Sequence, residues 1–186
     1  MKLLTFFLLF AVTSHAQFTV EEMLKPYVYT NETGETFAYR MSAPQFPVSG
    51  KTYPLILFLH GSGECGTDNL RHIHVGLPAL MDTLLKRPEP VIVVAPQCQN
   101  GNWWVKGLAR DANYAMSKEP AASLSVAIEI CRHVVTTRQA DTNRLYITGL
   151  SLGGFGTWDA IQREPSMFAA ALPICGGGDI RRGQAL

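Results

Sequence analysis

Leu145-Tyr-Ile-Thr-Gly-Leu-Ser-Leu-Gly-Gly-Phe-Gly156 decides the fold. Arg144 to Leu150 is rich in strand formers, and from Gly153 onward the chain suits a helix that ends near Glu164-Pro165. Between them Gly149-Leu150-Ser151-Leu152-Gly153 is a G-x-S-x-G turn, the nucleophile elbow, which needs a strand before it and a helix after it. A serine hydroxyl is a weak nucleophile and must be lifted clear of the sheet to meet a base and a carbonyl. The turn that lifts it is tight, and strand and helix backbones pass close together, so its neighbours must be small. The helix that follows aims free N–H groups and its positive end at the place where an oxyanion would form. Ser151 is therefore the candidate nucleophile and the Leu152 N–H a candidate oxyanion donor. The competing reading is a Gly-rich turn that only joins two elements.

Working outward, three more apolar runs match the strand before Ser151. Tyr53 to Leu59 is continuous and ends at His60-Gly61, Val91 to Ala95 is a second, and Ala169 to Ile174 closes the series. Runs of this kind suit strands covered on both faces. Thr36 to Met41 also reads as a strand, after an Asn31–Gly34 turn signal and a mixed lead-in from Phe18 to Tyr29. Helical patterns lie between. Leu77 to Lys86 is one. Ala121 to Thr137 is stronger, with Leu124, Ala127, Ile128, Cys131, Val134 and Val135 on one face and Pro120 suited to the first turn. Apolar strands alternating with amphipathic helices predict an α/β domain with a mostly parallel sheet and flanking helices. Sites in such sheets form at the carboxyl ends of strands. His60-Gly61, Pro96-Gln97, Ser151 and Cys175-Gly176 all follow strand ends and should converge on one crevice.

His60-Gly61-Ser62-Gly63-Glu64 can supply the second half of that crevice. A Gly-containing loop there can aim a backbone N–H at a carbonyl oxygen, and Ser62 is the best candidate, with Gly61 and Gly63 as near alternatives. His60 reads as loop support, and Glu64 and Asp68 as braces for the loop. Trp103 and Trp104 suit either pocket lining or packing anchors. His72-x-His74 has a spacing common by chance and no helix-based pair, so no metal is expected, and no cofactor motif is present: Gly176–Gly178 lacks the Lys-Ser/Thr of a phosphate loop.

Leu59–Asn69 (LHGSGECGTDN), Val94–Gln97 followed by Trp103-Trp104, and Ile147–Trp158 (ITGLSLGGFGTW) together resemble the α/β-hydrolase superfamily. The resemblance is nearest to the secreted bacterial esterase/peptidase-like group, similar to feruloyl and acetylxylan esterases and polyhydroxybutyrate-depolymerase-like proteins, and runs from about Phe37 to the last residue. It implies ester hydrolysis through a Ser–His–Asp triad. Ser151 matches the nucleophile, and Ser62 and Leu152 match the oxyanion-hole positions.

The chain departs from that pattern after Ser151. The family order is nucleophile, acid, histidine, yet His15, His60, His72, His74 and His133 all precede the serine. Only Asp159, Glu164 and Asp179 follow it as acids. Asp179 comes after the last apolar run, where a minority of the superfamily places its acid, and is the candidate acid. Asp159 reads as a surface or salt-bridge residue. The expectation is a C-terminally truncated, partial α/β-hydrolase fold that lacks the last strands and is inactive alone.

The 186 residues carry a formal charge of +1, without the basic stripe that a nucleic-acid binder needs. Lys2 followed by an apolar Leu3–Val12 and Ser14-His15-Ala16 reads as a signal peptide cleaved near Ala16, too short to span a bilayer. The expected division is a signal at 1–16, a lead-in at 17–35 and the hydrolase region at 36–186, in a secreted or periplasmic protein without a membrane span. Four cysteines, Cys65, Cys98, Cys131 and Cys175, allow three complete pairings that sequence does not distinguish. The favoured function is an exported serine esterase acting on a small or polysaccharide-linked ester. A serine peptidase of the same fold and a non-catalytic remnant or binding module are the alternatives.

Overall fold

A computed structural model describes residues 18–108 and 114–185. The signal-peptide reading lies outside those residues. Six strands form one sheet in the order β1-β2-β4-β3-β5-β6. They are β1 Lys25–Thr30, β2 Thr36–Ser42, β3 Tyr53–Leu59, β4 Ile92–Pro96, β5 Ala140–Leu150 and β6 Ala170–Ile174. The three pairings among β4, β3, β5 and β6 are parallel, and β1–β2 and β2–β4 are antiparallel. Among the described residues four α-helices accompany them: α1 Val20–Met23, α2 Leu77–Leu85, α3 Ala122–Thr137 and α4 Leu152–Arg163.

The apolar runs are continuous because helices cover both faces of the sheet. On one face Phe58, Val93 and Ala95 pack with Leu77 and Met81 of α2. On the other, Leu55, Leu57, Leu59, Ile92, Val94 and Ile147 pack with Leu124, Ala127, Cys131 and Val134 of α3. Successive strand residues point to opposite faces, so β3 and β4 must be apolar at nearly every position.

Several elements differ from the sequence reading. The mixed lead-in forms α1 and β1. Thr19 and Glu22 make a reciprocal cap on α1. The Asn31 side chain accepts from Thr33 N and Glu35 N and sets the β1–β2 turn. Ala121 caps α3, which leaves Pro120 outside the first turn. β5 starts four residues early, at Ala140, because Ala140 pairs with Tyr53 across an irregularity in the register. Asp159 is buried at 1% exposure, so of its two readings the salt-bridge one holds, with Arg163, and the surface one does not. Among the described residues β6 pairs on one side only, with β5, and its Leu172 and Ile174 are 64% and 40% exposed.

Candidate active site

β5 runs straight into α4 through Ser151. Its φ of 55° and ψ of −112° lie in a region that a residue with a side chain rarely adopts, and the residue is solvent-exposed. Packing over-determines this strained bend. Ser151 N donates to Ile174 O at 2.8 Å, which ties the elbow to the end of β6. A Cβ on Gly153 would overlap the Leu59 carbonyl, and one on Gly154 would come within 2.5 Å of Ile174 O. The first turn of α4 therefore crosses the ends of β3 and β6 backbone to backbone, which only glycine permits. Trp104 closes the far side, since a Cβ on Gly156 would meet its Cβ at 2.6 Å. Ser151 is the N-cap of α4, so the free amides of the first turn and the positive end of the helix dipole sit beside its hydroxyl.

The second candidate donor lies next to this bend. Gly61 is extended, Ser62–Glu64 form a single 3-10 turn, and Ser62 is exposed. A Cβ on Gly61 would stand 3.5 Å from Leu150 O, which puts the 61–62 segment against the end of β5. His60 holds that segment from beneath. Its Nε2 accepts from Cys98 N at 2.9 Å, so the ring is the Nδ1–H tautomer and donates to Gly61 O at 2.6 Å. Trp104 Nε1 donates to His60 O at 2.9 Å, and its ring meets the imidazole edge-on. Burial lowers the His60 pKa to about 4, which keeps the ring neutral. Trp104 is a packing anchor at 1% exposure, whereas Trp103 is 45% exposed.

Gln97 ends the Val94–Gln97 block and follows β4 into the crevice as expected, but that block does not encode its bonding role. It accepts from Asn69 N at 2.6 Å through Oε1, and its Nε2 donates to Glu64 O and to Asp68 Oδ1. Asp68 also accepts from Leu70 N, Arg71 N and Arg71 Nε, and those donors hold its carboxyl well below the usual range. The 60–71 loop is thus a braced unit. A polar residue at the end of an all-apolar strand was the available signal for Gln97.

The remaining candidates are committed elsewhere. Asp179 is buried and accepts from Met116 N, Arg181 N and the Arg181 guanidinium, which hold its pKa far below the ordinary value. Gln162 bonds its backbone on both sides. This makes Asp179 a clamp joining the segment before α3, the C-terminal half of α4 and the 180s turn. Asp159 pairs with Arg163 at 2.5 Å and accepts from Tyr114 Oη at 2.8 Å. His72 is buried with Nε2 on Ala95 O, His74 faces Glu21 at 3.4 Å, and His133 lies against Tyr29. Among the described residues Ser151 Oγ has no hydrogen-bond partner, and no cluster of three His, Cys, Asp or Glu suits a metal.

This arrangement defines an α/β-hydrolase fold. The chain matches the Prolyl oligopeptidase family over residues 115–184. It is 30% identical over 131 residues to poly(3-hydroxyalkanoate) depolymerase C of Paucimonas lemoignei, covering 67% of this chain and 28% of that protein. A thermostable esterase superposes with a TM-score of 0.77 at 35% identity, over 89% of this chain and 44% of its own. A ferulic acid esterase shares the fold at a TM-score of 0.56 and 22% identity, over 80% and 58% of the two chains. The chain has the α/β-hydrolase fold, is similar to its esterase-like group, and spans less than half the length of the depolymerase and of the thermostable esterase.

Proposed function

We propose that this chain carries the nucleophile and oxyanion-hole residues of an exported carboxylic ester hydrolase whose leader is removed near Ala16. Ser151 Oγ attacks the ester carbonyl. The Leu152 and Ser62 N–H groups receive the charge that develops on the carbonyl oxygen. The substrate is a small or polysaccharide-linked ester, a reading supported by the esterase relatives. One observation carries the proposal: an exposed serine held at positive φ on a helix N-terminus, at the carboxyl end of a parallel sheet.

Activating the hydroxyl needs an imidazole and a carboxylate. Among the described residues His60 and His72 are buried and bonded to backbone, His74 faces Glu21, His133 lies against Tyr29, and Asp179 is saturated by its clamp. The polypeptide of these 186 residues is therefore expected to turn over 4-nitrophenyl acetate at least about a thousandfold more slowly than a hydrolase with its base in place. Turnover at ordinary hydrolase rates, abolished by Ser151→Ala, would show that a base is already present. In the protein that supplies the base, Ser151→Ala removes fluorophosphonate labelling and about three orders of magnitude or more of turnover. Retained labelling at another residue would end the nucleophile assignment.

The match to the Prolyl oligopeptidase family supports a second reading, cleavage of a peptide bond at the same serine. Competition between a nitrophenyl ester and a peptide amide at equal concentration separates the two through their ratio of kcat/KM.

A further inference from the structure

Two of the four cysteines meet where the two halves of the candidate site are joined. Cys65 closes the 62–64 turn, and Cys98 stands two residues beyond β4. Both thiols point at one carbonyl: Cys98 Sγ lies 3.0 Å from Asn102 O and Cys65 Sγ lies 3.8 Å from it. The loops that carry them are pinned independently of the sulfurs. Gly66 N donates to Cys98 O at 2.9 Å, Cys98 N donates to His60, and Gln97 Nε2 donates to Glu64 O. Two sulfurs that converge on one oxygen from fixed loops are neighbours, and rotation about each Cα–Cβ bond is the motion that turns them toward each other. The other two cysteines stand apart from this pair. Cys131 lies within α3, packed in the core, and Cys175 is exposed after β6.

We propose that Cys65 and Cys98 form a disulfide that fastens the 60–69 loop to the 97–104 loop. Two S–H bonds break and one S–S bond forms. An external disulfide takes up the two electrons and the two protons, and its own S–S bond breaks to give two thiols. Burial pushes the Cys98 thiol up to about 12 and raises that of Cys65, so the folded dithiol holds little thiolate and exchanges slowly. The bond forms most readily while the chain is folding, and the same burial then shields it from reductant. The loop it fastens carries Ser62, so its effect on ester turnover rests on the oxyanion role proposed above, whereas the bond itself does not.

The test is peptide mapping of the full chain after prolonged equilibration with glutathione disulfide. The remaining thiols are alkylated before digestion. The expected result is a peptide cross-linked through Cys65 and Cys98, with Cys131 and Cys175 alkylated. Alkylation of both Cys65 and Cys98, or a link from either to another cysteine, overturns the proposal. The Tm of the oxidised protein should exceed that of the same protein after reduction by at least several degrees. An unchanged Tm overturns the fastening role. Because the reduced wild-type chain is the comparator, no variant has to fold, and the cross-link is read whether or not Ser151 is reactive.

Discussion

β3 and β6 are parallel strands of one sheet, and each delivers a loop to the same crevice, yet their surroundings are opposite. β3 lies between two parallel neighbours under helices on both faces, and six of its seven residues are buried. β6 has one described neighbour, and its residues alternate between exposed and half-buried. Local sequence sets the strand, and neighbours set its burial. What holds the end of β6 is therefore chiefly the crossing of α4. Gly154 sits against Ile174 O and Gly176, and Ser151 N bonds Ile174 O. The elbow is a structural fastening for the least supported strand as well as the place of the exposed serine.

The strongest way to break this contrast is at the crossing. Gly153→Ala would drive a methyl group into the carbonyl oxygen of Leu59 and against that of His60, and neither backbone can retreat without moving β3. The expected cost is about 4 kcal/mol or more, among the largest single-residue effects. Thermal unfolding should show the Tm falling by more than about 10 °C or the loss of a cooperative transition. Gly63→Ala is the control. A Cβ there meets nothing within 4 Å, and its effect should stay within about 0.5 kcal/mol. Equal losses from the two variants would remove the crossing from the account of what holds the site.

A smaller effect sharpens the same comparison between the strands. Leu57 is fully buried in β3, and Leu172 is 64% exposed in β6. Leu57→Ala should destabilise by about 3 kcal/mol, through lost transfer energy and the cavity left behind. Leu172→Ala should change stability by less than about 0.5 kcal/mol. Urea midpoints at constant m-value measure both. A loss at Leu172 comparable with that at Leu57 would mean that the outer face of β6 is covered in solution.

Strands with apolar residues at every position and the G-x-S-x-G turn were legible in the sequence because each reflects a local requirement. β3 needs apolar residues on both faces, and the elbow needs small residues where backbones cross. β1 was not legible. It is an edge strand with exposed Lys25, Val28 and Thr30, and its strand character comes from pairing with β2 rather than from its own pattern. The work of Gln97 and Asp179 was also hidden. Each acts by bonding amides or carbonyls far away in sequence, as Asp179 does with Met116, and no spacing along the chain encodes that. The convergence of Cys65 and Cys98 was hidden for the same reason, since it depends on the ends of β3 and β4 lying side by side.

The two strand ends should also respond differently to acid. After β3 stand His60 and, packed against it, His72. After β6 stands the exposed Cys175. Burial lowers the pKa of His60 to about 4 and that of His72 to about 3, with the neighbouring His60 also lowering His72. The unfolded chain takes up these protons near pH 6.5, whereas the folded chain refuses them until its own lower values are reached. Stability that is complete above pH 6.5 must therefore fall as the pH drops toward 4 and 3. The buried carboxylate of Asp179 and the braced one of Asp68 act in the same direction only near and below the ordinary carboxylate range, because their folded values are depressed from there. The interval from pH 6.5 to about 4.5 is thus dominated by the histidines at the end of β3, with Glu22, lowered by its bonds to Thr19, entering only at its acid edge. Across it the free energy of unfolding should fall by about 4 kcal/mol, about 2 from each histidine, read from urea midpoints at several pH values. A flat profile over that interval would mean that both His60 and His72 take up protons in the folded protein as readily as in the unfolded chain. The Nδ1–H tautomer that supports Gly61 while accepting from Cys98 N would then be wrong.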